Sequence, residues 1–322
     1  MKKPIRLLVL VIAACVLSPL RAQTYPTKPV HLVVPFPAGG PADIFGRFLA
    51  QGMGAQLGQP VVIENVSGLS GALGVDRAAK SPPDGYTLSL ISSSAASIGP
   101  FAIARMPFDP NRDLALISTV VRVPEVVVVN PALPVNTLAE LIAYAKANPG
   151  KVNYGSSGAG SITHLAGELL KAEAGIDIVH VPYKGAAPAV TDLVGGQVQM
   201  GIFDIPVVLP HIRAGKLKVL AITSLKRSPT LPEVQTTAEM GYPKVLSDNW
   251  YGLVGPAGMP PAILKRIHAA VVAALATPDL VEQYAKVSGV PMPSSPEEFS
   301  VYLAQDQAKW GRVVRAIGFK AE

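Results

Sequence analysis

The sequence predicts an α/β protein built from two doubly wound lobes joined by a two-crossing hinge. Three observations point there. Short apolar strands alternate with helical stretches, which indicates βαβ units and parallel sheets covered on both faces. Strand–loop–helix junctions rich in glycine and serine occur twice, near residues 35–43 and 154–163. A late strand, Asn249–Val254, is followed by helices able to return to the first lobe. The expected lobes are 23–122 with 250–322, and 123–249.

Each element has a local reason. Val30–Val34 is a short buried strand, and the pattern after Pro35–Pro41 is helical from about Asp43 to Leu57. Val61–Glu64 is a second strand before a connection carrying Gly68, Gly71 and Gly74. Thr87–Ile91 is a third strand ending in Ser92, Ser93 and Ser94. Leu114–Val121 and Val126–Val129 read as two strands separated by Pro124. Thr137–Ala147 is a helix with Asn136 as its candidate cap and Asn148-Pro149-Gly150 as its stop. Val152–Tyr154 is a strand, and a helix runs from about Thr163 to Ala174. Ile178–Val181 is a strand before a helix reaching about Val194. Met200–Phe203 is a strand ending at Asp204, then come a helix to Ala214 and the strand Leu217–Ile222. From Pro260 the chain reads as mostly helical.

Composition narrows the function. The chain has 322 residues, 49% of them hydrophobic, so it can bury real cores and is not globally disordered. One cysteine, Cys15, excludes a disulfide scaffold and a cysteine-based metal site. The 28 basic against 22 acidic residues give a net charge of +6. Part of that excess sits at the start. Lys2, Lys3 and Arg6 precede an apolar run from Leu7 to Leu17, followed by Ser18-Pro19-Leu20-Arg21-Ala22. A charged start, an apolar stretch too short to span a bilayer and a small residue make residues 1–22 an expected signal peptide cut after Ala22. Ile12-Ala13-Ala14-Cys15 also resembles a lipobox, which would instead anchor the protein through Cys15. Without Lys2, Lys3, Arg6 and Arg21, 24 basic residues remain against 22 acidic ones. The basicity therefore argues for export rather than for a nucleic-acid partner, and no Lys/Arg cluster interleaves with aromatics.

Four stretches could carry chemistry. Phe36, Pro37, Ala38, Gly39, Gly40 and Asp43 form a turn whose glycines and helix start favour an anion such as a carboxylate. The same pattern also suits an ordinary βα turn, with Asp43 serving its own helix and pairing with Arg47. Ser156, Ser157 and Gly158, with Thr163 and His164, supply hydroxyls and a second helix start; Ser161 or Thr163 would be its cap. His164 and Glu168 share a helix face, which suits a local hydrogen bond better than a metal pair. Tyr183 and Lys184 sit in a turn that is either solvated or near a carboxylate. Asp204, at a strand end, either accepts bonds from an amino or hydroxyl group or caps the helix starting around Pro206.

No catalytic residue, metal site or cofactor site is expected. Gly155-Ser156-Ser157-Gly158-Ala159 has the wrong spacing for a nucleophile elbow, and no phosphate-binding loop motif occurs. The histidines, His31, His164, His180, His211 and His268, are scattered without ligand spacing.

The ordered set Tyr25-Pro26 with Lys28-Pro29, VVPFPAGGPADIFGR (Val33–Arg47), PPDGYTL (Pro82–Leu88), TLAELIAYAKANPGKVNYGSSGAGSITHLAGELL (Thr137–Leu170) and VPYKGAAPAVTDLVGGQVQM (Val181–Met200) resembles the substrate-binding proteins of tripartite tricarboxylate transporters, the Bug family of periplasmic solute receptors. The resemblance spans essentially the whole chain after residue 22. It implies a periplasmic-binding-protein-like Venus flytrap that closes on a di- or tricarboxylate, an amino acid or an aromatic acid, and hands it to membrane transporter subunits. It implies a non-enzymatic, monomeric periplasmic protein. Carried over by position, the ligand loops are Phe36 through Gly40 with Asp43, and Ser156, Ser157 and Gly158 beside Thr163 and His164. Asp204 matches a position that faces a ligand amine in amino-acid-binding members. Ser92, Ser93 and Tyr183 complete the expected contact set. Ala95-Ala96 replace a polar position of the family and imply a more apolar wall. The two loops contain Gly and Ser but no Arg, so a ligand carboxylate is expected to meet amides and hydroxyls. Alternative roles are ligand sensing for a membrane kinase, or a periplasmic hydrolase or lyase using His164 or Asp204.

Overall fold

A computed structural model describes residues 25–320. The expected signal peptide, its cleavage point and Cys15 lie outside the described residues. The chain runs β1 (Val30–Val34), α1 (Pro41–Leu57), β2 (Val61–Asn65), α2 (Ala72–Ala79), β3 (Thr87–Ser92), α3 (Gly99–Ala102) and β4 (Leu114–Val129). It continues with α4 (Leu138–Ala147), β5 (Asn153–Ser156), α5 (Ile162–Ala174), β6 (Val179–Pro182), α6 (Ala186–Val194), β7 (Met200–Asp204), α7 (Ile205–Arg213) and β8 (Lys218–Ile222). It closes with β9 (Asp248–Pro256), α8 (Pro261–Leu275), α9 (Pro278–Lys286), β10 (Val290–Pro291) and α10 (Pro296–Ile317).

The strands follow the order β2-β1-β3-β9-β4-β7-β5-β6, with β8 and β10 also on β4. This path is two sheets that share β4. Its first half pairs with β9 and β10, and its second half, from Glu125, with β7 and β8. Each sheet is mixed, not wholly parallel as expected. β2, β1 and β3 run parallel, as do β6, β5 and β7, but the strands flanking each crossing are antiparallel. A strand leaving one lobe for the other, and its returning partner, must run in opposite directions.

The expected break at Pro124 does not occur, and β4 is one continuous strand. Pro124 is the last residue paired with β9, opposite Asp248, and Glu125 is the first paired with β7, opposite Asp204. The missing proline N–H thus falls where the strand exchanges partners, a position that tolerates proline. Two helix starts also shift. Pro41, not Asp43, opens α1, because its fixed φ suits the first turn. Thr137, not Asn136, caps α4, its Oγ1 accepting from the Glu140 amide. The two-residue β10, inside the region expected to be helical, edges the first sheet beside Arg122 and Val121 of β4.

Each sheet has a core on both faces. In the first lobe Val30, Leu32, Leu88 and Leu90 pack with Phe45, Leu49 and Tyr284, whereas Ile91 packs on the opposite face with Trp250 and Phe299. In the second lobe Val127 and Val129 face one core while Val126 and Val128 face another. This is the period of two of strands buried on both sides. A further apolar cluster joins the lobes: Ile98, Ala102, Trp310 and Val314 meet Ile162 and Leu165. Ser70 Oγ donates to Ala159 O at 2.8 Å, and the Ile162 amide donates to Ser94 Oγ at 3.1 Å. The lobes are closed on each other.

Gly74 of α2 braces the loop after β1. A Cβ there would stand 2.5 Å from the Val66 carbonyl oxygen and 2.7 Å from Pro35 Cα. Both neighbours are backbone and cannot rotate away. Gly74→Ala is expected to lower stability by about 1–3 kcal/mol, read as a lower melting temperature. An unchanged melt would show that the loop is not braced there.

Candidate functional site

The first wall is the turn from β1 into α1. Asp43 is 4% exposed and holds this turn from behind. Its Oδ2 accepts from the Gly39 amide at 3.0 Å and from Arg47 Nε at 2.9 Å. Asn65 Nδ2 donates to Asp43 Oδ1 and to Phe36 O, both at 3.0 Å. Burial raises the Asp43 pKa, but the bonds from Arg47, Gly39 and Asn65 outweigh it and leave the pKa lowered. The carboxylate therefore stays charged and fixes the loop, and it takes the Arg47 partnership expected of it. Phe36 and Gly40 reach the space between the lobes, while Ala38 and Gly39 are exposed at its mouth.

The second wall is the turn from β5 into α5. Ser161 caps the helix, accepting from the His164 amide at 3.3 Å. Thr163 Oγ1 lies 2.8 Å from both the Ser157 amide and Ser157 Oγ, and 2.9 Å from Ser161 Oγ. These hydroxyls orient one another. Gly158 has φ of 138°, and a Cβ on it would stand 2.7 Å from Ser70 Oγ of the other lobe. Glycine is required there both by the backbone and by closure.

Behind this wall lies a feature that sequence spacing did not reveal. The rings of His164 and His180 stack with centroids 3.8 Å apart. His164 Nδ1 accepts from the Gly160 amide at 3.1 Å, and His180 Nε2 lies 2.6 Å from Ser156 Oγ. The expected His164–Glu168 hydrogen bond is not formed. Their separation is 3.9 Å, and Glu168 instead accepts from Tyr154 OH at 2.6 Å. Burial, with His180 beside it, pushes the His164 pKa down to about 3; burial pushes His180 down to about 4. Both rings are neutral supports. Among the described residues no group of three or more His, Cys, Asp or Glu could hold a metal ion.

The floor is made where the strands cross between lobes. Asp204 occupies the cap position of α7 but makes no side-chain cap bond. Its carboxylate turns to β9 instead. It accepts from Tyr251 OH at 2.7 Å and from Asn249 Nδ2 at 2.9 and 3.2 Å. Ser93 Oγ donates to Asn249 Oδ1 at 2.7 Å. Burial raises the Asp204 pKa, and the bonds from Tyr251 and Asn249 oppose this only in part.

Together these groups enclose a cavity lined by Phe36, Gly40, Pro41, Ser94, Ser157, Ile162, Thr163, Ala186, Asp204, Asn249 and Tyr251. Its volume is about 20 Å³, so the walls are nearly in contact. No Lys or Arg lines it. Of the residues singled out in the sequence, Phe36, Gly40, Ser157, Thr163 and Asp204 face this space. Pro37 stands at its edge, where a Cβ on Gly185 would come within 2.5 Å of its ring. Ser93 bonds to the lining residue Asn249, whereas Asp43, Ser156 and His164 bond within the two turns behind the lining, and Ser92 is fully buried with its hydroxyl unpartnered. Tyr183 turns aside, its OH donating to Asp192 at 2.7 Å. Sequence reasoning missed Ser94, one position past the two serines it chose. It also missed Asn249 and Tyr251, although polar groups two apart in an apolar strand were a signal for one shared face. A larger hollow of about 420 Å³ lies on the other face of the hinge, lined by Arg122, Pro124, Lys226, Asp248 and Ser288 among others. It shares no residue with the cleft and receives neither glycine-rich loop.

The histidines set a pH dependence. Their folded pKa values lie below the usual 6.5, so the unfolded chain binds the extra protons. Stability is complete above about pH 6.5 and falls as pH drops toward about 4, by up to about 1.4 kcal/mol per pH unit for each ring. Buried acids with raised pKa act in the opposite sense, so the readout is the difference between wild type and His180→Asn in denaturant melts. That difference should shrink from pH 7 to pH 5; a constant difference would rule out neutral burial.

Comparison with known proteins agrees with this architecture. The model of the tripartite tricarboxylate transporter family receptor matches residues 45–319. Protein BugT of Bordetella pertussis is 40% identical over 313 residues, covering 97% of this chain and 96% of BugT. The structure of an R. palustris protein with adipate superposes with a TM-score of 0.89 at 34% identity, covering 92% of this chain and 99% of that one. MatC from Rhodopseudomonas palustris, with bound malate, superposes with a TM-score of 0.86 at 29% identity, covering 90% and 100%. With two lobes closed over a cleft at crossing strands, and with this match over most of its length, the chain belongs to the tripartite tricarboxylate transporter receptor family, whose members are solute-binding receptors and not enzymes.

Proposed function

We propose that this protein is an extracytoplasmic receptor that captures a small carboxylate in the interlobe cleft and delivers it to the membrane subunits of a tripartite transporter. One observation carries the reading. Two helix-starting turns from opposite lobes converge with Asn249 and Tyr251 on one buried space that no Lys or Arg lines. The positive ends of α1 and α5, with the hydroxyls of Ser94, Ser157 and Thr163, suit a carboxylate there. Asp204 accepts from a hydroxyl or amino group elsewhere on the ligand. Phe36 through Gly40, Ser157 and Gly158 shape the walls, while Asp43, Ser92, Ser93, Ser156 and His164 support them and Tyr183 stands aside. Adipate and malate in the two R. palustris structures support the carboxylate class.

The lobes divide at the crossing, 23–122 with 250–322 on one side and 123–249 on the other, and rotate about β4 and β9. The pairing of Val123 with Asn249 supports this division. The protein acts in the periplasm after removal of residues 1–22, as a monomer and without a cofactor. Among the described residues no helix is long and apolar enough to cross a membrane.

Residues 23–322 should be melted against adipate, malate, citrate, glutamate and benzoate, with sugars as controls. A true ligand at about 100 times its Kd adds about 2.7 kcal/mol of stability. A shift with a sugar and with no carboxylate would overturn the ligand class, and turnover of the ligand would overturn the receptor role. Closure gives a second outcome. Gly158→Ala and Gly185→Ala place a methyl between the closed lobes. An overpacking cost of about 1–3 kcal/mol should weaken binding about 5- to 150-fold, measured by calorimetry. Unchanged affinity would mean that the ligand complex is not closed at these contacts.

A further inference from the structure

Directly beneath the cleft floor is a second buried acid. Glu125 sits opposite Asp204 in the antiparallel pair of β4 and β7, so their side chains share a face. Glu125 is 0% exposed, and neither carboxylate oxygen has a hydrogen-bond partner. The surroundings offer no counter-charge in the cleft. Asp248 and Arg122 belong to the other face of the hinge and line the hollow there. Lys309 of α10 reaches the Leu246 carbonyl at 3.5 Å, and its ammonium also lies over the Trp310 ring. Ser247 Oγ is engaged with Thr223 Oγ1 at 3.0 Å. Tyr251 and Asn249 donate to Asp204.

Two carboxylates in one dry site cannot both stay ionised. Burial, the Asp204 charge and the Asp248 charge raise the Glu125 pKa, with Ser247 and Lys309 opposing only in part; burial and the Asp248 charge raise that of Asp204 against the bonds from Tyr251 and Asn249. An anionic ligand closed into the same space adds further negative charge with no Lys or Arg in the lining to offset it. We propose that the cleft captures its carboxylate ligand together with a proton, held by the Glu125–Asp204 pair at the base of the closed cleft. The inference rests on the receptor reading above. Glu125 does not line the cavity and acts through Asp204, so it is a positioning residue.

The step is a single protonation of a carboxylate by solvent, with no bond to the ligand made or broken. Opening the cleft exposes Asp204 to water and lowers the pair's proton affinity; closing on an anion raises it. Linkage then fixes the sign. Ligand affinity is greatest at low pH and falls as pH rises between the pair's open and closed pKa values, by up to tenfold per pH unit for one proton. A neutral Asp204 also becomes a donor, which lets it face a second carboxylate of a dicarboxylic acid.

The experiment is calorimetric titration with adipate, malate, citrate, glutamate and benzoate at about pH 6.5, 7.5 and 8.5, each in two buffers of different ionisation enthalpy. The buffer dependence of the heat, corrected for the ligand's own titration, counts protons taken up. Wild type is expected to take up close to one proton per ligand and to bind more weakly as pH rises. Glu125→Gln, which keeps the shape and removes one of the pair's two titrating groups, should cut the uptake and flatten the pH profile. Asp248→Asn removes a charge that raises both pKa values from the other face of the hinge, so it should shift the loss of uptake to lower pH without abolishing the uptake. Binding without proton uptake, or unchanged uptake in Glu125→Gln, overturns the proposal while the receptor reading stands. If none of these carboxylates binds, the receptor reading fails and this inference fails with it.

Discussion

The cleft depends on one set of bonds at the strand crossing. Asp204 comes from the second lobe, while Asn249 and Tyr251 belong to β9 as it enters the first. Ser93 extends the chain of bonds into the first sheet. These groups stand on the strands where the lobes meet, so under the proposed rotation about β4 and β9 their geometry changes least. The outer loops are carried with their lobes. A receptor of this kind needs a fixed floor and movable walls, and a ligand must bind the closed form better than the open one. Polar bonds at the crossing with glycine contacts at the rim meet both needs.

The polar floor lies between large apolar cores. Each sheet is packed on both faces, so its strands are rigid and their C-terminal ends are well placed. The two glycine-rich turns sit at those ends because parallel strands and the helices after them deliver loops to one edge of the sheet. Asp43 and the stacked histidines then hold each turn from the back. Their roles are complementary: a charged carboxylate gathers donors around the first loop, and neutral rings fill the space behind the second.

Much of this was legible in the residues. Val30–Val34 and Met200–Phe203 stood out as apolar runs, and the turns at 35–43 and 154–163 announced themselves through glycine and serine. The mixed direction of the sheets was not legible, because periodicity reports burial and not strand direction. Nor was the continuity of β4 through Pro124, since a proline normally argues against a strand interior and only the change of partner makes it harmless. His164 and His180 are 16 positions apart, and only the parallel pairing of β5 with β6 beside α5 brings them to ring contact. Glu125 was not singled out, because it fell between the two strands read on either side of Pro124. Its pairing with an acid 79 positions away was not legible either, because register is set by the assembled sheet.

The sequence by itself determined the alternating strands and helices, the two glycine-rich turns, and Asp204 at a strand end. These are local properties, set by side-chain period, backbone freedom and capping chemistry within a few residues. Only the tertiary structure decided which acids face each other, which serine reaches the cleft and which side of the hinge each strand residue serves. Asp248 and Asn249 are neighbours in sequence, yet one lines the outer hollow and the other the cleft. Successive strand residues point to opposite faces, and only the pairing of β9 with β4 fixed which face became the cleft side.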